Sequence, residues 1–109
     1  MHRVLQMNST GYDDNVIGNH KDNIDDELTN YSTYEYQCND GHDMEDNPTI
    51  GVSADFNSAT DANNFHNWLK DYLQNNTADF ESARTRIHDC YHASDENLPC
   101  KIGDTWELS

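Results

Sequence analysis

The sequence has 109 residues, of which 34% are hydrophobic, and its 21 acidic and six basic residues give a formal net charge of -15. A chain of this length forms a single domain, residues 1–109, with a small core. The charge excludes direct binding to nucleic acid and to anionic membranes, because both carry negative charge themselves.

The first predicted elements are short. Residues 3–7 form an opening strand, and the turn formers around Gly11 predict a reversal at residues 8–14. Val16 and Ile17 then start a second strand or anchor a loop. Ile24 and Leu28 are spaced for one helical face, which predicts a short helix at residues 22–31.

Two alternating segments follow and predict half-buried β-strands at residues 32–38 and 49–56. Tyr34, Tyr36 and Cys38 share one face of the first strand, and Ile50 and Val52 share one face of the second. The segment between them, NDGHDMEDNP, is strongly polar and contains Gly and Pro. The pattern therefore predicts an antiparallel hairpin with a long acidic loop at residues 39–48.

The strongest apolar periodicity lies in residues 58–73, SATDANNFHNWLKDYL. Ser58 is a suitable N-cap for this helix, and Asp61 three residues later can close a capping box. After a polar break, the spacing of Phe80, Ala83 and Ile87 predicts a second helix. A loop at residues 93–99 and a final strand at residues 100–108 complete the chain.

These elements predict an α+β fold, in which a small antiparallel sheet is packed against two main helices that cover one of its faces. The strand order is not determined by the pattern.

Cysteine and histidine residues are the first candidates for chemistry. Three cysteines without CxxC spacing, with no signal peptide and no membrane-spanning run, predict a reducing cytoplasm. A zinc-stabilised module would need several distant side chains to converge, but their spacings match no paired-ligand pattern. These are Cys38, His42, Cys90, His92 and Cys100. We therefore predict no metal, no cofactor and no catalytic residue.

The acidic hairpin loop is also a candidate for calcium binding. An EF-hand loop requires Gly at its sixth position and a carboxylate at its first. Counting back from Gly41 places Tyr36 at the first position, so the loop fails this pattern.

The acidic residues form three clusters, which lie in the first turn, on the polar helix face and in the hairpin loop. The clusters are Asp13 and Asp14; Asp22, Asp25, Asp26 and Glu27; and Asp40, Asp43, Glu45 and Asp46. Carboxylates fixed on a rigid surface can imitate the phosphates of a nucleic acid, because nucleic-acid-binding grooves are selected for regular negative charge. The alternative is a salt-adapted acidic domain without mimicry, and the abundance of Asp suits both hypotheses.

Size, charge and one stretch of sequence together carry a resemblance to known proteins. The stretch is a strand that runs into a capped amphipathic helix, IGVSADFNSATDANNFHNWLKDYL. The chain resembles the small acidic proteins of bacteriophages and mobile elements that inhibit host defence, the DNA mimics and anti-CRISPR proteins. The resemblance implies a non-enzymatic inhibitor that occupies a basic, nucleic-acid-binding surface of a host protein in the host cytoplasm.

The distribution of charge adds a hypothesis about the two halves of the chain. The three acidic clusters lie before residue 55, and the strongest apolar periodicity lies after it. We therefore expect the C-terminal half to hold the fold and the N-terminal half to contact the partner, with Tyr31 or Tyr34 adding contact area. The sequence predicts no oligomeric state.

Overall fold

The computed structural model describes residues 2–90 and 101–108. The elements, in chain order, are β1 (His2–Gly11), α1 (Asp14–Leu28), β2 (Thr33–His42), β3 (Pro48–Phe56), α2 (Ala59–Gln74), a 3₁₀ turn (Thr77–Asp79), β4 (Phe80–Cys90) and β5 (Lys101–Glu107). Within these residues, no helix is both long enough and apolar enough to cross a membrane.

The five strands form one antiparallel sheet in the order β2-β3-β1-β4-β5. Helix α1 connects β1 to β2, and helix α2 connects β3 to β4, so each helix joins two parallel strands that flank an antiparallel one. This is the connectivity of the βαββαβ motif, with β5 added beside β4. The arrangement places β1 at the centre of the sheet and α1 near the edge formed by β2.

The core lies between the two helices and one face of the sheet. Leu5 on β1 is paired with Ala54 on β3 and with Ile87 on β4, and all three are buried. Since side chains alternate along a strand, these residues define the face that the helices cover. The predicted α+β fold, an antiparallel sheet against two main helices, is confirmed.

Helix α2 matches its prediction closely. It spans Ala59–Gln74, and the Ser58 hydroxyl accepts a hydrogen bond from the backbone N–H of Asp61 at 3.1 Å. The carboxylate of Asp61 does not close a capping box. It accepts a hydrogen bond from the backbone N–H of Ser32 at 2.9 Å, and so connects the start of α2 to the segment that leads into β2.

Helix α1 begins eight residues before the predicted start, at Asp14. The Asp13 carboxylate accepts hydrogen bonds from the backbone N–H groups of Asn15 and Val16 and so caps the helix. Val16 and Ile17 therefore lie in its first turns and not in a strand or loop. The buried face of the helix includes Ile17, which extends the predicted apolar stripe toward the N-terminus.

The second predicted helix is wrong, because the segment forms β4. Ala83, Thr85 and Ile87 are all buried on the helix-facing side of the sheet, which is a period of two. The spacing of Phe80 from Ala83 suggested a helical period, but the register of β1 and β4 shifts between Thr10 and Gly11. At this irregularity β4 contains one extra residue, so that Phe80 and Ala83 are three positions apart instead of two or four.

The remaining predictions are mostly confirmed. The opening strand is present as β1, but it continues to Gly11, through part of the reversal predicted at residues 8–14. The final strand is present as β5, and the predicted hairpin is formed by β2 and β3. The hairpin strands are longer than predicted, so the loop spans only residues 43–47. The predicted loop at residues 93–99 lies outside the described residues.

Candidate protein-interaction surface

The three acidic clusters lie on neighbouring elements, α1 with its cap and β2 with its hairpin loop, and we name the surface that they form the acidic face. Its carboxylates belong to the cap and first turn of α1, to the rest of α1, and to β2 with its hairpin loop. They are Asp13, Asp14, Asp22, Asp25, Asp26, Glu27, Asp40, Asp43, Glu45 and Asp46. The sequence separates these residues by up to 33 positions, and the fold brings them together because α1 packs beside β2.

One hydrogen bond shows how closely the first and third clusters approach each other. The Asp14 carboxylate lies 2.5 Å from Nε2 of His42, which joins the first cluster to the end of β2. This hydrogen bond is the main cause that raises the pKa of His42, and the charges of Asp46 and Asp40 raise it further. The first and third clusters therefore share one histidine.

The surroundings of Cys38 show that the second and third clusters lie close to each other. Its Sγ donates a hydrogen bond to the backbone carbonyl of Lys21 at 3.7 Å, which places β2 against α1. Burial chiefly raises the pKa of this thiol to about 11, and the charges of Asp25, Asp22 and Asp40 add to the increase. The thiol is therefore protonated at neutral pH and is a poor nucleophile.

The hairpin loop is held in one conformation by its own hydrogen bonds. The Asp43 carboxylate accepts from the backbone N–H groups of Glu45 and Asn47, each at 2.9 Å. The hydrogen bond from the backbone of Asn47 is the main cause that lowers the pKa of Asp43. Asp46 has a φ of 65°, in the left-handed region. Met44 is fully exposed within this loop.

Not every acidic residue of this face is available to a partner. Asp13 caps α1, and Asp43 holds the hairpin loop. Glu27 accepts hydrogen bonds from the Tyr31 hydroxyl at 2.6 Å and from Asn30 at 3.2 Å. These three carboxylates are part of the fold as well as of the charged surface.

The two tyrosines predicted to add contact area differ in exposure. Tyr34 is 60% exposed, at an irregularity where β2 shifts its register against β3. Tyr31 is partly buried, and its ring contacts Phe56 and Phe65 edge-on. Of the two, only Tyr34 extends into solvent enough to contribute to an interface.

Charge compensation distinguishes the acidic face from the rest of the molecule. Among the described residues, Lys21 is the one Lys or Arg that pairs with this face, at 3.9 Å from Asp22 and 3.7 Å from Asp25. Elsewhere three basic side chains each pair with an acidic partner: Arg3 with Asp89 at 3.0 Å, Lys70 with Asp104 at 2.9 Å, and Arg84 with Glu107 at 3.6 Å. The acidic face is therefore the least neutralised surface that the structure describes.

The zinc alternative is only partly covered by the described residues. Cys38 and His42 already make the hydrogen bonds given above, and the described residues contain no group of three His, Cys, Asp or Glu placed to hold a metal ion. The side chain of Cys90, and both His92 and Cys100, lie outside the described residues. The absence of a zinc site therefore stays a prediction.

A polar network between the helices was missed by the sequence analysis. His20 lies 2.6 Å from the Tyr72 hydroxyl through Nδ1 and 2.8 Å from the Asp79 carboxylate through Nε2. Asn23 donates to the same hydroxyl at 3.0 Å. One neutral tautomer satisfies every contact: Nε2–H donates to Asp79, and Tyr72 donates to Nδ1.

The network has the connectivity of a catalytic relay but not its electrostatics. Burial raises the pKa of Tyr72, which is the opposite of what an activated nucleophile requires. We interpret the network as a structural connection between α1, α2 and the 3₁₀ turn. The sequence signal for it was a histidine on the buried face of α1, at residue 20.

The sheet face that the helices do not cover has a different chemistry. Its described side chains are mostly neutral and polar, with Arg84 and Arg86 on β4 and the carboxylates of Glu35, Asp55 and Glu107. Arg86 donates to Oε1 of Gln6 on β1 at 2.9 Å. Two shallow depressions lie along this face, with volumes of about 460 and 450 Å³.

A smaller cleft of about 260 Å³ lies on the other side of β2, between the start of α1 and the end of the strand. Its walls include two carboxylates of the acidic face, Asp14 and Asp40, together with His42. Ile17 and Gly18 of α1 also line it and supply non-ionic surface.

Comparison with known proteins gives no further guide to this surface. No protein-family model matches the chain, and neither the curated proteins nor the solved structures give a significant match.

Proposed function

We propose that the protein is a non-enzymatic binding protein whose acidic face docks on a Lys/Arg-rich, nucleic-acid-binding surface of a host protein and excludes the nucleic acid. The observation that supports the proposal is the convergence of three acidic clusters on one weakly neutralised surface. In the host cytoplasm, such a surface would attract basic proteins over long range.

The rigidity of the surface supports mimicry. Helix α1 is fixed to the core by buried Ile17, Ile24 and Leu28. Asp22 and Asp26 are four residues apart on this helix, which places their Cβ atoms about 5–6 Å from each other. Carboxylates held in this way lose little conformational freedom on binding, so more of their attraction for Lys and Arg is retained as affinity.

The uneven compensation of charge favours mimicry over salt adaptation. A salt-adapted domain has carboxylates over all of its faces, and this chain also carries acidic residues outside the acidic face, such as Asp71 and Glu81. The basic residues are nevertheless concentrated away from the acidic face, where they pair with Asp89, Asp104 and Glu107. Adaptation alone gives no reason for that separation.

The proposal is tested with two charge-matched variants, each of which removes two negative charges from exposed positions. The first is Asp22→Asn/Asp26→Asn on the acidic face, and the control is Asp71→Asn/Glu81→Gln on α2 and β4. Each immobilised protein is exposed to host lysate, and the captured proteins are eluted with duplex DNA and with increasing salt. We expect basic nucleic-acid-binding proteins that DNA displaces, with weaker capture by the first variant and normal capture by the control.

The kinetics give a second readout once a captured partner has been purified. Removal of surface charge should lower the association rate more than it raises the dissociation rate, and salt should lower the affinity of the parent protein. Capture of neutral or acidic proteins only, or an affinity that does not depend on salt, would contradict the proposal. Equal losses in both variants would show that net charge matters and that the acidic face does not.

A further inference from the structure

The outer edge of β2 is a strand-pairing surface. β2 is the terminal strand of the sheet, and its inner side is paired with β3. After the shift at Thr33, the register is regular from Glu35 to His42. Within the described parts of the chain, no strand pairs with the outer side of this segment. Its outward backbone N–H and C=O groups can therefore accept an extended chain.

The two sides of this edge differ in charge. Cys38, Asp40 and His42 are paired with residues of the helix-facing side of β3, so they lie on the side of α1. Glu35, Gln37, Asn39 and Gly41 alternate with them and lie on the uncovered side of the sheet. The α1 side thus combines Asp40 with carboxylates of α1, whereas the uncovered side near the end of β2 is neutral.

The cleft of about 260 Å³ lies beside this edge on the α1 side. Asp40 and Asp14, which is hydrogen-bonded to His42, flank it, and Ile17 and Gly18 line its wall. Lys and Arg bury their aliphatic stems along apolar surface while the charged group stays with acidic partners, so the cleft suits such a side chain. On the uncovered side, the depression of about 450 Å³ is lined mostly by neutral residues, among them Gln37 and Asn39 of β2, and Asp40 and His42 also border it.

We propose that an extended segment of the basic partner adds to the outer edge of β2, with Lys or Arg at every second position facing α1. The inference rests on the proposed function, because it states how the basic partner engages the acidic face. Backbone hydrogen bonds would supply affinity, and the alternation of basic with neutral residues would supply specificity.

A second copy of this chain fits the edge less well. Pairing two β2 edges would bring two acidic faces together, and α1 of each copy carries Asp22 and Asp25 close to the strand. Like charges at this distance oppose association. A basic segment replaces that repulsion with attraction, so charge complementarity selects the partner.

The test uses synthetic acetylated peptides of about eight residues, a typical strand length. The first alternates Lys with Thr, and a second has the same composition with all Lys residues in one block. Two further versions of the alternating peptide carry N-methyl groups on every second backbone amide. One version is methylated at the odd-numbered positions and the other at the even-numbered positions, and we call these the two methylated phases. Affinity is measured by calorimetry at physiological salt, and amide protection of β2 is measured by NMR hydrogen exchange.

We expect the alternating peptide to bind best and to protect alternate amides of β2. One methylated phase should bind about tenfold more weakly or worse, because it removes several backbone hydrogen bonds, while the other should bind like the parent peptide. Equal binding of both phases and of the block peptide would overturn strand addition, but would leave the acidic face as a charged docking surface. Binding by none of the peptides would also overturn it.

Two protein variants test the side on which the basic residues lie. Asp40→Asn removes a charge from the α1 side of β2, and Glu35→Gln removes one from the uncovered side. Asp40→Asn should weaken binding of the alternating peptide several-fold and Glu35→Gln should weaken it less, since the basic residues face α1. An equal or larger loss in Glu35→Gln would overturn the assigned orientation. A dimer in ultracentrifugation with β2 amides protected before peptide is added would show that a second copy occupies the edge.

Because capture from lysate and displacement by DNA do not depend on strand addition, that assay separates the two proposals. Retained DNA-sensitive capture with no difference between the methylated phases would reject the strand and keep the function. Loss of both would reject both.

Discussion

The acidic face differs from the opposite region, where α2 contacts β4 and β5, in how its carboxylates are paired with basic side chains. In the opposite region Lys70 lies 2.9 Å from Asp104, and Arg3, which also donates to Asn63 of α2, lies 3.0 Å from Asp89. On the acidic face Lys21 is the one described Lys or Arg within ion-pair distance of a carboxylate. The comparison shows that the net charge of -15 is not spread uniformly over the folded molecule.

The same two regions do not differ in how they bury apolar side chains. Ile24 and Leu28 of α1 are fully buried, as are Leu69 and Leu73 of α2. β1, from the N-terminal half, is also the central strand of the sheet. The hypothesis that the C-terminal half holds the fold is therefore wrong, because both halves form the core. Partner contact by the N-terminal half stays a prediction.

The largest expected effect tests this equality directly. Leu69→Ala in α2 and Ile24→Ala in α1 should each lower the free energy of unfolding by about 2–5 kcal/mol, because each leaves a cavity at a fully buried position. The measurement is urea denaturation followed by circular dichroism. A loss below about 1 kcal/mol for Ile24→Ala alone would restore the view that the C-terminal half carries the stability.

A smaller effect is expected at the two helix caps. The Asp13 carboxylate accepts two backbone hydrogen bonds at the start of α1, whereas the Ser58 hydroxyl accepts one at the start of α2. Replacement of either by Ala should cost about 0.5–2 kcal/mol, with the larger loss for Asp13→Ala. Thermal unfolding of both variants measures this difference.

Asp13→Asn separates the two roles of that residue. Asparagine is also a good N-cap, so this variant should keep most of the stability while it removes one charge from the acidic face. Weaker partner binding by Asp13→Asn with normal stability would assign Asp13 to the interface. Normal binding by Asp13→Asn would assign it to the helix alone.

The sequence predicted those elements whose local signals agreed with their tertiary environment. The apolar stripe and the Ser58 cap indicated α2, and the alternation in residues 32–38 and 49–56 indicated the β2–β3 hairpin. β4 was missed because Phe80, Ala83 and Ile87 are also spaced as on a helix. Its period of two is clear only when Thr85 is counted as buried, and that burial depends on its position between β1 and β5.

The candidate surface was only partly predictable for a similar reason. The three acidic clusters were visible in the sequence, but their convergence depends on α1 packing beside β2. The structural roles of Asp43 and Glu27 depend on hydrogen bonds to neighbouring backbone and to Tyr31. Composition locates charge along the chain, whereas the availability of each carboxylate depends on contacts that the fold creates.

The smallest expected effect uses one histidine from each region. His42, on the acidic face, has its pKa raised from the ordinary 6.5, mainly by its hydrogen bond with Asp14. His66, in α2, has its pKa lowered, mainly by burial and then by the charge of Lys70. Asp104, whose carboxylate lies 3.5 Å from Nδ1, opposes that decrease, and Arg3 adds to it.

The two shifts have opposite consequences for stability. His42 binds its proton more tightly in the folded protein, so its contribution is fully present below pH 6.5 and is lost as the pH rises through the folded-state pKa. His66 binds its proton less tightly when folded. Its contribution is therefore fully present above pH 6.5 and is lost as the pH falls toward the folded-state pKa.

His42→Gln and His66→Gln should therefore change the pH dependence of unfolding in opposite directions. Relative to the parent, His42→Gln should lose more stability on the acidic side of pH 6.5 than on the alkaline side, and His66→Gln should lose less on the acidic side. Urea denaturation at a series of pH values from about 5 to 8 measures both slopes around the reference pKa of histidine. The comparison of slopes is independent of any constant loss that either substitution causes, so a packing defect at buried residue 66 does not obscure it. If the free energy of unfolding had the same pH dependence in both variants, carboxylate titration would dominate both regions. The difference in charge compensation between the two regions would then not extend to their histidines.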